Sequence, residues 1–209
     1  MAHASAVAVP VLVFTRTPVP GQVKTRLIPA IGAARAANLH RAMLWRTVAT
    51  AVEARIGPVG VWCSPASEHP YLAEIQREFG LELYLQKGAD LGERMHLALS
   101  SQAGQSGGAV LVGSDCPFLE ARDLQQAAGA LRDGCDAVIG PSRDGGYYLI
   151  GVRLSDWQAF SGIPWGSGQV LAATLEKFRD LGWQWRELTT RSDVDRPVDL
   201  EALADLLVY

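Results

Sequence analysis

The chain has 209 residues, 48% of them hydrophobic and 20% charged, which is enough to bury a core without disulfide or metal staples and excludes a disordered tail or a coiled coil. Nineteen basic against 22 acidic residues, a net charge of −3 and no basic run exclude a dedicated nucleic-acid binder, and no apolar stretch reaches the length of about 18 that a membrane span needs. Cys63, Cys116 and Cys135 form no CxxC pair and His3, His40, His69 and His96 show no ligand spacing, so a reducing, cytoplasmic compartment is expected and a zinc cluster is not.

The opening MAHASAVAVPVLVF has no basic leader and is cut by Pro10, so no signal peptide is expected; Val9–Phe14 reads as a first buried strand. A Pro/Gly-rich loop follows, then a long helical pattern over 33–56, with Leu39, Met43, Val48 and Val52 on one face. Val59–Cys63 is strand-like, 69–79 a helix, Leu81–Gln86 a strand and 90–101 a helix. The Gly-rich loop 104–108 leads into Ala109–Gly113, a continuous apolar run typical of a central parallel strand. Next come a helix over 121–131, strands over 136–140 and 147–152, a helix over 169–181, a strand over 183–188 and a closing helix over 197–207. The pair 138/149 has no room for a helix between its strands and predicts an antiparallel element. No repeat, low-complexity segment or linker interrupts the alternation. One domain over 1–209 is expected: an open, mainly parallel α/β sheet flanked by helices.

In such sheets ligands bind beyond the carboxyl ends of the strands, where several polar clusters fall. After the first strand, TRTPVPGQVKTRL puts Arg16, Lys24 and Arg26 around Gly21, a combination that suits a polyphosphate although no GxxxxGK[ST] loop is present. A solvated basic turn is the plainer reading. Gly113-Ser-Asp-Cys-Pro117 sets Ser114 and Asp115 at the end of a buried strand, where a carboxylate holds Mg²⁺ or Mn²⁺, or else caps the next helix. Asp144, Gly145, Gly146 and Tyr147 make either a close-approach surface for substrate or a plain hairpin turn. Asp193, Asp195 and Asp199 crowd the last helix start; Asp195 is the second candidate metal ligand, with Asp193 its rival. Gln86 and the helix start at Gly92 suit a base and a ribose or phosphate, with Glu93 and Arg94 alternatively ordinary first-turn charges. Trp165 is a core residue or an acceptor-pocket wall.

Taken together, PVPGQVKTRL (18–27), DLGERM (90–95), GSDCP (113–117), DGGYYLIG (144–151) and DVDRPVDL (193–200) resemble the nucleotide-diphospho-sugar transferase superfamily with its glycosyltransferase-A fold, and bacterial glycosyltransferase-like proteins related to 2-phospholactate guanylyltransferase in particular. The resemblance implies that Lys24 and Arg26 hold nucleotide phosphates, that Gln86 and Gly92 match base-binding positions, and that Asp115 and Asp195 coordinate the divalent metal. Gly145 and Gly146 would then lie near the transferred group. Two departures stand out: Arg196-Pro-Val follows Asp195 where the family carries a small polar residue and an acid, and GSDCP holds one Asp instead of a DxD pair.

Three functions are therefore open. The expected one is metal-dependent nucleotidyl transfer from a nucleoside triphosphate to a small phosphorylated or carboxylated acceptor, with Lys24, Arg26 and Asp115 as the catalytic set. Three cations on one loop favour it, because a triphosphate carries more charge than a nucleotide sugar. Glycosyl transfer from a nucleotide sugar is the alternative, and a nucleotide-binding module without turnover the third. No nucleic-acid or membrane partner is expected, and oligomeric state is unreadable from the sequence.

Overall fold

The computed structural model describes residues 7–104 and 107–203. Seven strands form one sheet: β1 (Val11–Arg16), β2 (Val59–Ser64), β3 (Glu82–Leu85), β4 (Ala109–Gly113), β5 (Ala137–Pro141), β6 (Tyr147–Val152) and β7 (Trp185–Glu187). Their order across the sheet is β3-β2-β1-β4-β6-β5-β7. All neighbours are parallel except β6, which runs antiparallel to both β4 and β5. The expected antiparallel element is thus real, and it is inserted between two strands of the parallel set. The six helices are α1 (Ile28–Ile31), α2 (Ala33–Ala54), α3 (Pro70–Phe79), α4 (Leu91–Ala103), α5 (Ala121–Arg132) and α6 (Val170–Asp180).

The period-two alternation of β1 sorts its side chains to two cores. Val11 and Val13 join Leu44 and Val48 of α2, Ile75 of α3 and Leu124 of α5 on one face. Leu12 and Phe14 join Met95 and Leu99 of α4 and Phe178 of α6 on the other. Helices therefore cover both faces, the arrangement a parallel sheet with continuous apolar strands requires.

Four elements differ from the sequence reading, the first a 3₁₀ turn over Thr25–Leu27 in the loop after β1. The single turn α1 is an addition, stopped at Gly32, whose φ of 80° an L side chain avoids. A 3₁₀ turn over Trp157–Ala159 is another, capped by the Asp156 carboxylate. The expected closing helix over 197–207 is a 3₁₀ helix from Pro197 to Leu203; its remainder lies outside the described residues.

The functional consequence of the topology lies at β1 and β4. These strands are parallel neighbours, with Phe14 in register with Gly113, yet β1 continues outward to β2 and β4 adjoins β6. Chain connections diverge to opposite sides here, which opens a crevice beyond the carboxyl ends. The backbone N–H of Ser114 donates to the Phe14 carbonyl at 3.1 Å, so the loop after β4 starts directly beside the loop after β1.

Candidate functional site

The loop after β1 returns toward the sheet at Lys24, a non-glycine residue in the left-handed conformation (φ 48°, ψ 42°). That conformation costs about 1–2 kcal/mol for an L-residue and persists only where the surroundings demand it. Here they do: the Lys24 side chain is 2% exposed, and Nζ donates to Asp115 Oδ1 at 2.7 Å and to the Val194 carbonyl at 2.6 Å. Val194 N–H in turn donates to the Asp115 carbonyl at 3.0 Å. One buried ammonium thus joins the loops that follow β1, β4 and β7.

Asp115 sits at the bottom of the crevice, surrounded by protein, yet its side chain is 56% exposed because the crevice itself is open. Burial alone would raise its pKa, but Lys24 overrides this and holds the carboxyl below the ordinary value. Behind it stands His40, which projects from α2 and is 3% exposed. Its Nε2 lies 3.1 Å from Thr15 Oγ1 and 3.0 Å from the Arg16 carbonyl; its Nδ1 is 3.9 Å from Asp115 Oδ1 and has no hydrogen-bond partner. Burial pushes the imidazole pKa down against the opposing pull of Asp115, so His40 is neutral at pH 7. A carbonyl beside Nε2 assigns the proton there. Ser114 Oγ completes this layer by donating to Thr15 Oγ1 at 3.2 Å.

The crevice has two lobes. One, about 700 Å³, is lined by Arg16, Lys24, His40, Gln86, Arg94 and Ser114, from the parallel half of the sheet. The other, about 550 Å³, is lined by Met95, Leu111, Arg143, Trp165, Val170 and Arg196, from the antiparallel half and its flanking loops. Both volumes suit a small-molecule ligand. Phe14, Arg26, Asp144, Gly146, Tyr147, Asp193 and Asp195 form part of the wall the two lobes share.

That wall is acidic. Asp195 pairs with Arg26, and Asp199 Oδ2 accepts the backbone N–H groups of Asp195 and Arg196 at 3.0 and 2.7 Å. Asp144 Oδ1 accepts from Ser142 Oγ and from Gly146 N–H. Asp193 has no such cation. Desolvation, then the neighbouring Asp144 carboxylate, raise its pKa above the ordinary value.

The structure gathers Arg16, Lys24, Arg26, Gln86, Ser114, Asp115, Asp144, Gly146, Tyr147, Trp165 and Asp195 around the crevice, but several in a different capacity from the sequence expectation. Lys24 and Arg26 each hold one of the two candidate metal carboxylates. Gln86 Nε2 donates to the carbonyls of Thr15 (3.1 Å) and Trp62 (2.8 Å), so its amide hydrogens are spent on the scaffold and only Oε1 remains for a base. Gly92 lines neither lobe: a Cβ there would sit 2.6 Å from the Phe160 carbonyl and 2.8 Å from Trp165 Nε1, so this glycine serves the packing of α4 under Trp165. Gly145 likewise is buttressed by the Gly168 carbonyl, 2.1 Å from where its Cβ would be, and Gly21 turns the loop at φ 84° outside the crevice lining. Sequence reasoning missed Thr15, His40, Arg94, Arg143 and Arg196. Arg94, alternatively a first-turn charge, donates to the Gly88 carbonyl at 3.1 Å and lines the larger lobe, while Asp90 caps α4, accepting from Glu93 N–H at 2.8 Å, and Glu93 accepts from Ala89 N–H at 2.7 Å. His40 had no linear signal, being one polar residue on a long apolar helix face.

A family model described as "Uncharacterized protein conserved in bacteria (DUF2064)" matches residues 47–167. No curated protein matches the chain. Among solved structures, a protein of Desulfovibrio desulfuricans G20 named as a candidate nucleotide-diphospho-sugar transferase is 33% identical, with a TM-score of 0.84 over 93% of this chain and 85% of that one. The 4-diphosphocytidyl-2C-methyl-D-erythritol synthase of Anaerococcus prevotii shares the fold at 11% identity, with a TM-score of 0.66 over 97% and 96% of the two chains. So does the Mycobacterium tuberculosis glucosyl-3-phosphoglycerate synthase complexed with Mn²⁺, UDP and glucosyl-3-phosphoglycerate, at 12% identity, with a TM-score of 0.57 over 95% and 76%.

Proposed function

The chain belongs to the bacterial DUF2064 family and to the nucleotide-diphospho-sugar transferases, and from that membership and the two-lobed crevice we propose that it is a metal-dependent nucleotidyltransferase. It joins a nucleoside triphosphate in the larger lobe to a small anionic acceptor in the smaller one. The observation that carries this reading is the placement of charge: Arg16, Lys24, Arg26 and Arg94 all line the larger lobe, and Asp115 stands among them at the strand ends. Arg16 and Arg94 have no carboxylate partner among the described residues and can meet a triphosphate directly, while Lys24 and Arg26 are balanced by Asp115 and Asp195 and would be released to the phosphates where a divalent cation takes those carboxylates.

The carboxylates present fit a hard divalent cation. Asp115, Asp193 and Asp195 face one crevice and are all-oxygen donors. Among the described residues no group of three or more His, Cys, Asp or Glu side chains converges as a metal cage. That favours Mg²⁺ or Mn²⁺, which take one or two carboxylates and fill their shells with water and phosphate oxygen. Asp115, with Asp193 or Asp195, would hold it, and when bound it neutralises charge on the phosphates.

In the reaction an acceptor oxyanion attacks the α-phosphorus, a bond from acceptor oxygen to phosphorus forms, and the bond to pyrophosphate breaks. The nucleophile is already ionised, so no general base is needed. Lys24 and Arg26 hold the phosphate charge, with Asp115 and Asp195 as their resting partners; Arg16 and Arg94 orient the chain of phosphates. The protein supplies positioning and electrostatic stabilisation.

A second reading, glycosyl transfer from a nucleotide sugar, draws on the edge-to-face pair Tyr147–Trp165 beside Asp144 and Asp193, since aromatic faces and carboxylates suit a sugar ring. Product analysis separates the two. Incubation with each nucleoside triphosphate, Mg²⁺ and a panel of phosphorylated and carboxylated acceptors is expected to release pyrophosphate. Nucleoside diphosphate release from a nucleotide sugar, with no pyrophosphate from any triphosphate, reverses the assignment.

A further inference from the structure

The smaller lobe carries two arginines for which the transfer chemistry has no use. Arg143 lies in the turn after β5, and Arg196 precedes the last 3₁₀ helix. Both are exposed, both line the smaller lobe, and neither lines the larger one. Their guanidinium groups make no ion pair or hydrogen bond among the described residues, whereas Lys24, Arg26 and Arg94 each hold a protein partner. Of the four carboxylates that line the same lobe, Asp199 accepts two backbone N–H groups, Asp144 accepts from Ser142 and Gly146, and Asp195 pairs with Arg26; Asp193 is the fourth, and none of the four pairs with Arg143 or Arg196. Two guanidinium forks from distant segments, neither paired with a carboxylate among the described residues, line one cavity and suit an anion.

The shape of the lobe narrows the anion's carrier. Trp165 and Tyr147 meet edge to face, with ring centroids 6.4 Å apart at 82°, and Met95 and Leu111 complete an apolar floor. A carboxylate offers two oxygens, which one fork saturates. A phosphate monoester offers three terminal oxygens and close to two charges, which two forks share.

We propose that the smaller lobe binds a phosphate monoester on a small apolar or aromatic body, the phosphate held between Arg143 and Arg196 and the body lying against Trp165 and Tyr147. This rests on the reading of the crevice as a donor lobe joined to an acceptor lobe. It does not depend on which group is transferred, because the contact of the phosphate with Arg143 and Arg196 is read by binding alone.

Phenyl phosphate is the probe, titrated calorimetrically into the full chain. Saturable binding is expected in the parent, weaker by about tenfold in Arg143→Ala and in Arg196→Ala, and undetectable in the double variant. Arg143→Lys and Arg196→Lys, which keep the charge without the fork, are expected to fall between. Phenol, the same ring without the anion, should give no binding, and Arg16→Ala, altered only in the larger lobe, should bind phenyl phosphate like the parent. Melting curves confirm that the variants are folded, as expected for two exposed side chains. The proposal is overturned if the parent does not bind phenyl phosphate, if the double variant binds it as the parent does, or if Arg16→Ala abolishes binding. Arginine-dependent binding of phenyl phosphate by a protein that binds no nucleoside triphosphate or nucleotide sugar would instead overturn the donor-lobe reading and leave this one standing.

Discussion

Two cation–carboxylate clusters flank the end of the sheet, and they are built for opposite purposes. At one, the Arg191 guanidinium donates to Glu120 and Asp123 at 2.9 Å each, and Asp123 is 1% exposed. Glu120 and Asp123 also form the capping box of α5, so Arg191 bolts the loop after β7 onto the start of that helix. At the other, Lys24 holds Asp115, but the Asp115 side chain is 56% exposed to the crevice, with the unpartnered Nδ1 of His40 behind it. The first cluster buries Asp123 under Arg191, although Glu120 is 43% exposed and Arg191 Nε has no partner. The second keeps a carboxylate turned to solvent and carries backbone strain at Lys24, features that structure alone does not require. A buried ion pair by itself therefore says little about function; the open face distinguishes the site.

The sharpest way to break this comparison is to neutralise one carboxylate. Asp115→Asn is expected to lower turnover by at least about 10²-fold and also to lower the melting temperature, since the buried Lys24 ammonium keeps only an amide oxygen and the Val194 carbonyl. A folded variant with parental turnover would remove Asp115 from the chemistry. Arg191→Ala is the converse: it leaves the buried Asp123 without its cation, with only the Glu120 N–H as donor, and should cost about 3 kcal/mol in urea unfolding, with activity per folded molecule unchanged. Loss of turnover without loss of stability would make the second cluster part of the site after all.

Asp193 sharpens the contrast within the crevice. Like charge and burial disfavour its ionised form, so Asp193→Asn should raise the melting temperature in divalent-free buffer and diminish the further rise on adding Mg²⁺ with nucleotide. If Mg²⁺ stabilises the variant as much as the parent, Asp195 is the second ligand and Asp193 is not. The smallest effect is expected at Gln86, where Gln86→Ala removes hydrogen bonds to the carbonyls of Thr15 and Trp62 and should cost about 1 kcal/mol, along with a modest loss of nucleotide affinity. An unchanged melting temperature would mean that water replaces both bonds.

Much of the architecture was legible because it is written in short-range patterns. The apolar run Ala109–Gly113 could only be a central strand, and its neighbour Asp115 had to emerge at a carboxyl end. The acidic and basic clusters were visible as types. Their partners were not, since an ion pair between Lys24 and Asp115 spans most of the sheet's connectivity and leaves no local trace. Gly92 shows the same limit from the other side. A glycine at a helix start suggests close approach of something, and only packing reveals that the something is Phe160 and Trp165 of the same chain.

The sequence by itself determined the alternation of strands and helices, the antiparallel β5–β6 pair and the presence of polyvalent charge after β1 and β4, because each depends on residues within one or two turns of chain. The tertiary structure decided which charges meet. Lys24 is a tether, His40 stands behind Asp115, and Arg143 and Arg196 line one lobe because the parallel pairings of β1 with β4 and of β5 with β7 bring together loops distant in sequence. Coulomb energy and desolvation depend on that distance and on the surrounding burial, and neither quantity exists along the chain alone.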